Sequence, residues 1–203
     1  MAPPGKLELA DIADLRAYER ERDEFRRHVI DLKQRRRVHV GPVLTLLFEN
    51  RDTIRFQIQE MARVEKLITD EAIQGELDAY NPLIPEPGQL CATVFLELTS
   101  DEELRHWLPR LVGIERSIGL RLGEGPSAPV VMAEPEAAHA GQLTREEITA
   151  SVHYVWWQLS ADQVRALSAG PVHAVVVHPE YPHEVELGPE TIRELLADLG
   201  DPA

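Results

Sequence analysis

The feature that most narrows the fold is an arrangement that occurs twice in the second half of the chain. Leu90 to Leu98 reads as a strand, and Ser100-Asp-Glu-Glu103 follows it as a capping box. There the serine oxygen accepts from the first free amides of a helix while Glu103 reaches back to the amide of Ser100. The helix expected from Asp101 to about Leu111 stops before Gly113, and Ile118 to Leu122 is the next strand. The pattern then returns. Val152 to Leu159 is a strand, Ser160-Ala-Asp-Gln163 a capping box, Gly170 a stop and Val172 to Val177 a strand, with Val164, Arg165 and Leu167 where Leu104, Arg105 and Trp107 stood. Two strand–helix–strand units that cannot each bury both faces of their strands are expected to share one sheet. The predicted class is α+β: a helical N-terminal half packed on a mixed sheet of ferredoxin-like character. Local alternation of strand and helix gives the same spacing without a true repeat, so the pseudosymmetry is open at this level.

The first half is mostly helical. Met1 to Lys6, with two prolines and a glycine, reads as a loose tail. From Asp11 or Asp14 to about Arg35, the residues Leu15, Tyr18, Arg22, Phe25, Val29 and Leu32 recur at spacings of three and four and give one inward stripe. Val38 to Phe48 is extended and interrupted by Gly41-Pro42, and its Val43–Phe48 run is apolar enough for burial on both faces. Asn50 caps a helix reaching Leu67 or Ile68, a second helix runs from about Asp70 to Ala79, and Tyr80 to Gly88 is a turn-rich connector with three prolines. That connector divides a helix-rich part, residues 1–87, from an α+β part, residues 88–203, within one compact unit. In the second part Pro129 to Ala133 adds a strand, His139 reads as a solvated loop residue, and Pro189 opens a last helix ending near Leu199.

Charge excludes several functions. A chain of 203 residues with a formal net charge of −14 repels polyanions, which argues against nucleic acid and anionic membrane as partners. Its basic cluster, Arg26-Arg27 and Lys33 to Arg37, lies at a predicted helix end. There cations complement the helix dipole and pair with carboxylates such as Glu21, Asp23 and Glu24. One cysteine, Cys91, in an apolar strand reads as an inert buried thiol, and no run resembles a signal peptide or a span of about 20 apolar residues. These features point to the cytoplasm. No Gly-x-Ser-x-Gly elbow, phosphate-binding glycine loop or helix-borne Glu-x-x-His pair occurs, so serine hydrolases, nucleotide loops and ferritin-like di-iron bundles are unsupported.

Two stretches carry candidate chemistry. Four of eight histidines, His153, His173, His178 and His183, fall in or beside the second unit. Strand alternation places His173 with Val175 and Val177, and His178 with Ala174 and Val176. His178 and His183 flank Pro-Glu-Tyr-Pro, read as a stiff exit loop, so His153, His178, His183 and Glu184 form a candidate first shell for iron, zinc or manganese, with Glu180 or Glu49 as further carboxylates. The competing readings are a metal-free polar pocket and purely structural histidines. Tyr181 is the candidate hydrogen-bond or proton donor beside that site. The second stretch is Glu49-Asn50-Arg51-Asp52, where a strand delivers polar groups to a helix N-terminus; Glu49, Asn50 and Arg51 are candidate ligand contacts. The simpler alternative is that Asn50 only caps and Arg51 only pairs with a neighbour.

With Arg37-Val-His-Val-Gly-Pro42, Leu46-Leu-Phe-Glu-Asn-Arg-Asp-Thr53, Gln57-Ile-Gln-Glu-Met61, Glu76-Leu-Asp-Ala-Tyr-Asn81 and His178-Pro-Glu-Tyr-Pro-His-Glu184 in view, nearly the whole chain resembles a bacterial family known only as domain of unknown function three-five-zero-one. The resemblance supplies no activity and no catalytic residues. Genes of that family often stand near those for rubrerythrin-like and iron–sulfur oxidoreductase proteins, which implies peroxide defence or electron transfer. Two functional expectations follow. One is a cytoplasmic metal-binding accessory protein or enzyme of redox metabolism, with Glu49 and Arg51 on a ligand. The other is a non-catalytic module that docks on a redox partner through its acidic surface. A homodimer is compatible with both, although neither heptads nor an exposed apolar stripe supports it.

Overall fold

The computed structural model describes residues 5–135 and 148–200; the stretch around His139 lies outside them. Helix α1 (Leu15–Arg36) starts where the Asp14 carboxylate accepts from the Ala17 amide, and it buries Tyr18, Val29 and Leu32 of the expected stripe. Strands β1 (Arg37–Val40) and β2 (Leu44–Phe48) form an antiparallel hairpin around Gly41, whose φ of 73° suits the turn. Every residue of β2 is buried, as its apolar run requires. Helix α2 (Arg51–Glu65) opens at Asn50, which accepts from the Thr53 amide while Thr53 Oγ1 accepts from the Asn50 amide. Helix α3 (Asp70–Tyr80) then leads through the 3-10 turn Asn81–Leu83 to β3 (Gln89–Leu96).

Both repeated units form, but they do not share one sheet. The first runs from β3 through α4 (Asp101–Trp107) to β4 (Ile118–Leu122), and the second from β7 (Val152–Gln158) through α5 (Ala161–Ala169) to β8 (Val172–His178). Both capping boxes close as read. Helix α4 is shorter than expected: Pro109 has no amide to continue its hydrogen bonds, although Leu108 before it keeps helical geometry. The entry strands β3 and β7 pair antiparallel in a five-stranded sheet of order β1-β2-β3-β7-β6, where β6 is Glu134–Pro135. The exit strands β4 and β8 pair antiparallel in a four-stranded sheet of order β5-β4-β8-β9, where β5 is Val130–Met132 and β9 is Tyr181–Glu186. The class is α+β, and the units pair strand for strand, yet each crosses from one antiparallel sheet to the other. The predicted single mixed sheet is corrected on this point.

The two sheets enclose the main core. Leu44, Leu46, Phe48, Leu90, Ala92, Val94, Val155 and Trp157 from the first meet Ile118, Leu120, Val172, Ala174 and Val176 from the second, with Val164 and Leu167 of α5 and Leu195 and Leu199 of helix α6 (Pro189–Leu199) completing it. Tyr181 of β9 ties the sheets together. Its hydroxyl accepts from the amides of Val43 (2.9 Å) and Leu44 (3.1 Å) and donates to the carbonyl of Val40 (2.9 Å), so one buried side chain closes the β1–β2 turn from the opposite sheet. Burial pushes the phenol pKa up. The far face of the first sheet is covered by α2 and α3, where Ile54, Ile58, Leu77, Leu83, Ile84 and Cys91 form a second, smaller core. Sheet alternation separates the two cores: Leu90, Ala92 and Val94 point one way and Cys91 the other.

Charge pairing fixes the outer helices. Arg36, fully buried, donates from Nη1 and Nη2 to Asp198 at 2.6 and 2.9 Å and pairs with Glu194 at 3.2 Å, joining α1 to α6. Part of the basic cluster pairs with carboxylates, but Arg35 and Arg36 reach α6 and Arg37 reaches Glu97 rather than Glu21, Asp23 or Glu24. Glu60 of α2 likewise accepts from Tyr18 Oη (2.7 Å) and from Arg22 Nε and Nη2 (2.8 and 2.9 Å) of α1. The Arg22 guanidinium holds the Glu60 carboxyl down at about 2.

Two outcomes test this framework. Tyr181→Phe leaves the Val43 and Leu44 amides buried without an acceptor and is expected to cost about 2–4 kcal/mol in denaturant unfolding; a loss under about 1 kcal/mol would show that the sheets do not depend on this hydroxyl. Because the folded pKa of Glu60 is depressed, its contribution is fully present above the ordinary carboxylate value of 4.5 and disappears as pH falls towards 2. Glu60→Gln therefore lowers stability at neutral pH by about 1–2 kcal/mol and flattens this acid limb, measured by unfolding midpoints between about pH 7 and about pH 2. An unchanged acid limb would remove Glu60 from the account.

Candidate functional site

The stretch read as an exit loop is a hairpin. Pro179-Glu180 make the turn between β8 and β9, and His178 pairs with Tyr181 while His183 pairs with Val176 and Glu184 with Val175. His178, Tyr181 and His183 therefore share the inner face of the second sheet, and Glu184 points to the outer face. Each side chain has its own partner. His178 Nε2 donates to the Val112 carbonyl (3.1 Å) and its Nδ1 accepts from the Glu180 amide (3.3 Å), which fastens the turn. The His183 ring lies edge-on to Tyr181, centroids 4.3 Å apart, and close against Gly41, where a Cβ would come within 2.6 Å of its Cγ. Glu184 takes two hydrogen bonds from Arg121, at 2.7 and 3.0 Å, and this pairing lowers its pKa.

His153 stands elsewhere, on β7 of the first sheet. Its strand pairs with β3 and β6 rather than β8, so the neighbour relation that would have brought it to the other histidines does not exist. Its Nε2 lies 2.9 Å from both the Ala150 carbonyl and Thr149 Oγ1, and burial holds its pKa below the ordinary histidine value against the opposing pull of the Glu115 carboxylate. The four proposed metal ligands thus divide between two sheets and, within the second, between two faces. Among the described residues no group of three histidine, cysteine, aspartate or glutamate side chains is placed to hold a metal.

The second candidate stretch fares differently. Asn50 is a helix cap that also hydrogen-bonds the Asp198 carboxyl, and Arg51 pairs with Asp11 (Nη2 to Oδ1, 2.6 Å) and donates from Nε to the Gly5 carbonyl (3.2 Å). Glu49 differs. It sits between β2 and α2 with only 6% of its surface exposed, in the wall of a cavity of about 250 Å³ between the first sheet and the helices. Its Oε2 lies 2.5 Å from Thr53 Oγ1 and its Oε1 2.6 Å from Thr93 Oγ1. Two hydroxyls from different elements fix the carboxyl plane and leave each oxygen a further lone pair.

The cavity is assembled from distant parts of the chain. Leu47 and Thr93, directly paired on β2 and β3, form its floor with Phe95, Val152 and Tyr154. Helices α1, α2 and α3 contribute Lys33, Gln57 and Tyr80 to the walls. Neither the Gln57 amide nor the Tyr80 hydroxyl has a hydrogen-bond partner among the described residues. Of these, only Glu49 was visible in sequence as a site residue. Thr53 and Thr93 were missed, and the one available signal was strand alternation, which puts Thr93 on the face opposite Ala92 and Val94.

Among the described residues no helix is long and apolar enough to cross a membrane. No curated protein matches the sequence. Among solved structures, a crystal structure of a protein of unknown function from Burkholderia pseudomallei has 36% sequence identity and a TM-score of 0.86 over 96% of this chain and 100% of that one. The family model described as "Protein of unknown function (DUF3501)" matches residues 6–199. With the match covering residues 6–199, this chain belongs to the DUF3501 family.

Proposed function

We propose that the protein binds a small organic ligand in the crevice between the first sheet and helices α1, α2 and α3, with Glu49 as its anchor. The observation that carries this reading is a nearly buried carboxyl facing a cavity and held by two threonine hydroxyls instead of an ion-pair partner. Removing such a group from water is costly unless something replaces the lost hydration, and a bound ligand with donors does so. Two other cavities lack this feature. The one between the N-terminal segment and α2–α3, about 280 Å³, is mainly apolar, and its Asp14 and Thr69 are occupied as helix caps. The hollow beside β9 has Arg121 and Glu184 bonded to each other.

The test is a fragment screen by amide chemical-shift mapping on the folded protein, using compounds of all charge types. Perturbations centred on Glu49, Thr53, Gln57 and Thr93, lost in Glu49→Gln with the rest of the spectrum unchanged, are expected. A screen in which no compound shifts these amides would end the reading.

The net charge of −14 favours a second reading, in which the acidic surface steers the protein onto a redox partner, with His153, His178, His183 or Glu184 contributing any iron, zinc or manganese. For the metal, donor chemistry is the sole support. Untagged protein passed over an immobilised rubrerythrin-like protein should bind at low salt and release at high salt; no retention at either ionic strength would sink this alternative.

A further inference from the structure

Two opposite charges line the Glu49 crevice, and neither pairs with the other. Lys33 of α1 lines it, with its ammonium 5.6 Å from the centroid of the Phe56 ring, and forms no ion pair among the described residues. Glu49 forms none either. Of the cations on α1 and α2, Arg22, Arg35, Arg36, Arg51, Arg55 and Arg63 each find a carboxylate, whereas Arg16, Arg20, Arg26, Arg27 and Lys33 do not among the described residues. Lys33 and Glu49 share a cavity wall and still do not pair with each other.

From this we infer that the ligand of the crevice is a small zwitterion, whose ammonium group meets Glu49 and whose carboxylate meets Lys33. The inference rests on the reading of the crevice as a binding site. A cation alone would satisfy Glu49 and leave Lys33 unmatched, and an anion alone would add a second negative charge near Glu49. A molecule carrying both matches the two charges and leaves a short apolar body for Leu47, Phe95 and Val152. The Gln57 amide and the Tyr80 hydroxyl are further partners for its polar groups. Size sets a limit as well. At about 250 Å³ the cavity is small, which suits an amino acid with a short chain.

The experiment compares three probes of equal chain length, 4-aminobutanoate, butylamine and butanoate, by calorimetric titration and amide shift mapping on wild type, Lys33→Met and Glu49→Gln. The expected result is at least about tenfold tighter binding of the zwitterion than of either single-charge probe. Lys33→Met should erase its advantage over butylamine, and Glu49→Gln its advantage over butanoate. Lys33 is half-exposed, so its replacement reads out the ligand even if Glu49→Gln disturbs the fold. Butylamine binding as tightly as 4-aminobutanoate, with no effect of Lys33→Met, would overturn the zwitterion while leaving the crevice a binding site. If none of the three probes shifts the crevice amides but uncharged fragments do, the ligand class again falls alone; silence from every fragment removes both.

Discussion

The Tyr181 hydroxyl holds the hairpin of one sheet to the edge of the other, and much of the architecture depends on that contact. Its three backbone partners, Val40, Val43 and Leu44, belong to the turn around Gly41, and at these positions the first sheet begins. Without a hydrogen-bond acceptor from β9, two amides next to the fully apolar strand β2 would be buried unpaired. The close fit extends outward: the His183 ring packs where Gly41 has no Cβ, and Trp107 stands edge-on to Tyr181 at 5.6 Å. Part of the histidine-rich stretch therefore serves the join between sheets. Its side chains suit metal chemistry by type, but their hydrogen bonds and ring contacts are directed to backbone and aromatic neighbours.

The same join explains why the duplicated unit gives two sheets. In each unit a capped helix carries the chain from an entry strand in the first sheet to an exit strand in the second. Two such crossings place β3 beside β7 and β4 beside β8, both antiparallel. The space between the sheets becomes the main core, filled from both sides, and the outer face of the first sheet is left for α2 and α3. The crevice is a product of that arrangement. Helices covering a sheet pack against its apolar positions, and Glu49 and Thr93 interrupt that apolar surface at the top of β2 and β3.

Local signals in the sequence were read well, because they act over a few residues. Ser100, Ser160 and Asn50 cap where their spacing to Glu103, Gln163 and Thr53 demands, and Gly41-Pro42 splits the extended run into a hairpin. Strand β9 was missed for a physical reason. Tyr181, His183, Val185 and Leu187 alternate with Pro182, Glu184 and Glu186, which is strand periodicity, but two prolines in the segment argue for a loop. Pro182 fits because β9 is an edge strand, with one side free of ladder bonds, and Pro179 lies in the turn before it. Once β9 is a strand, alternation alone separates Glu184 from His178 and His183. What periodicity could not reach was the partner of each strand, and His153 was misplaced for that reason. The crevice was out of reach for the same reason, since Lys33, Glu49, Tyr80 and Thr93 meet only through packing between elements far apart in the chain.

What sets the crevice apart is Glu49, nearly buried, its carboxyl bonded among the described residues only to hydroxyls. A chain with 35 acidic and 21 basic residues has an excess of carboxylates to offer every cation, and pairing is the low-cost outcome at a half-exposed surface. Arg36 shows how far that goes: fully buried, it is accommodated by two carboxylates of α6. Lys33 lies one helical turn before Arg36 and has no such partner. Glu49, nearly buried, bonds to hydroxyls that fix its orientation without neutralising its charge. A fold optimised for stability alone would gain by closing this gap with an ion pair or an apolar pair. The cost of burying Glu49 without an ion pair has a physical rationale when a third molecule brings the complementary charge.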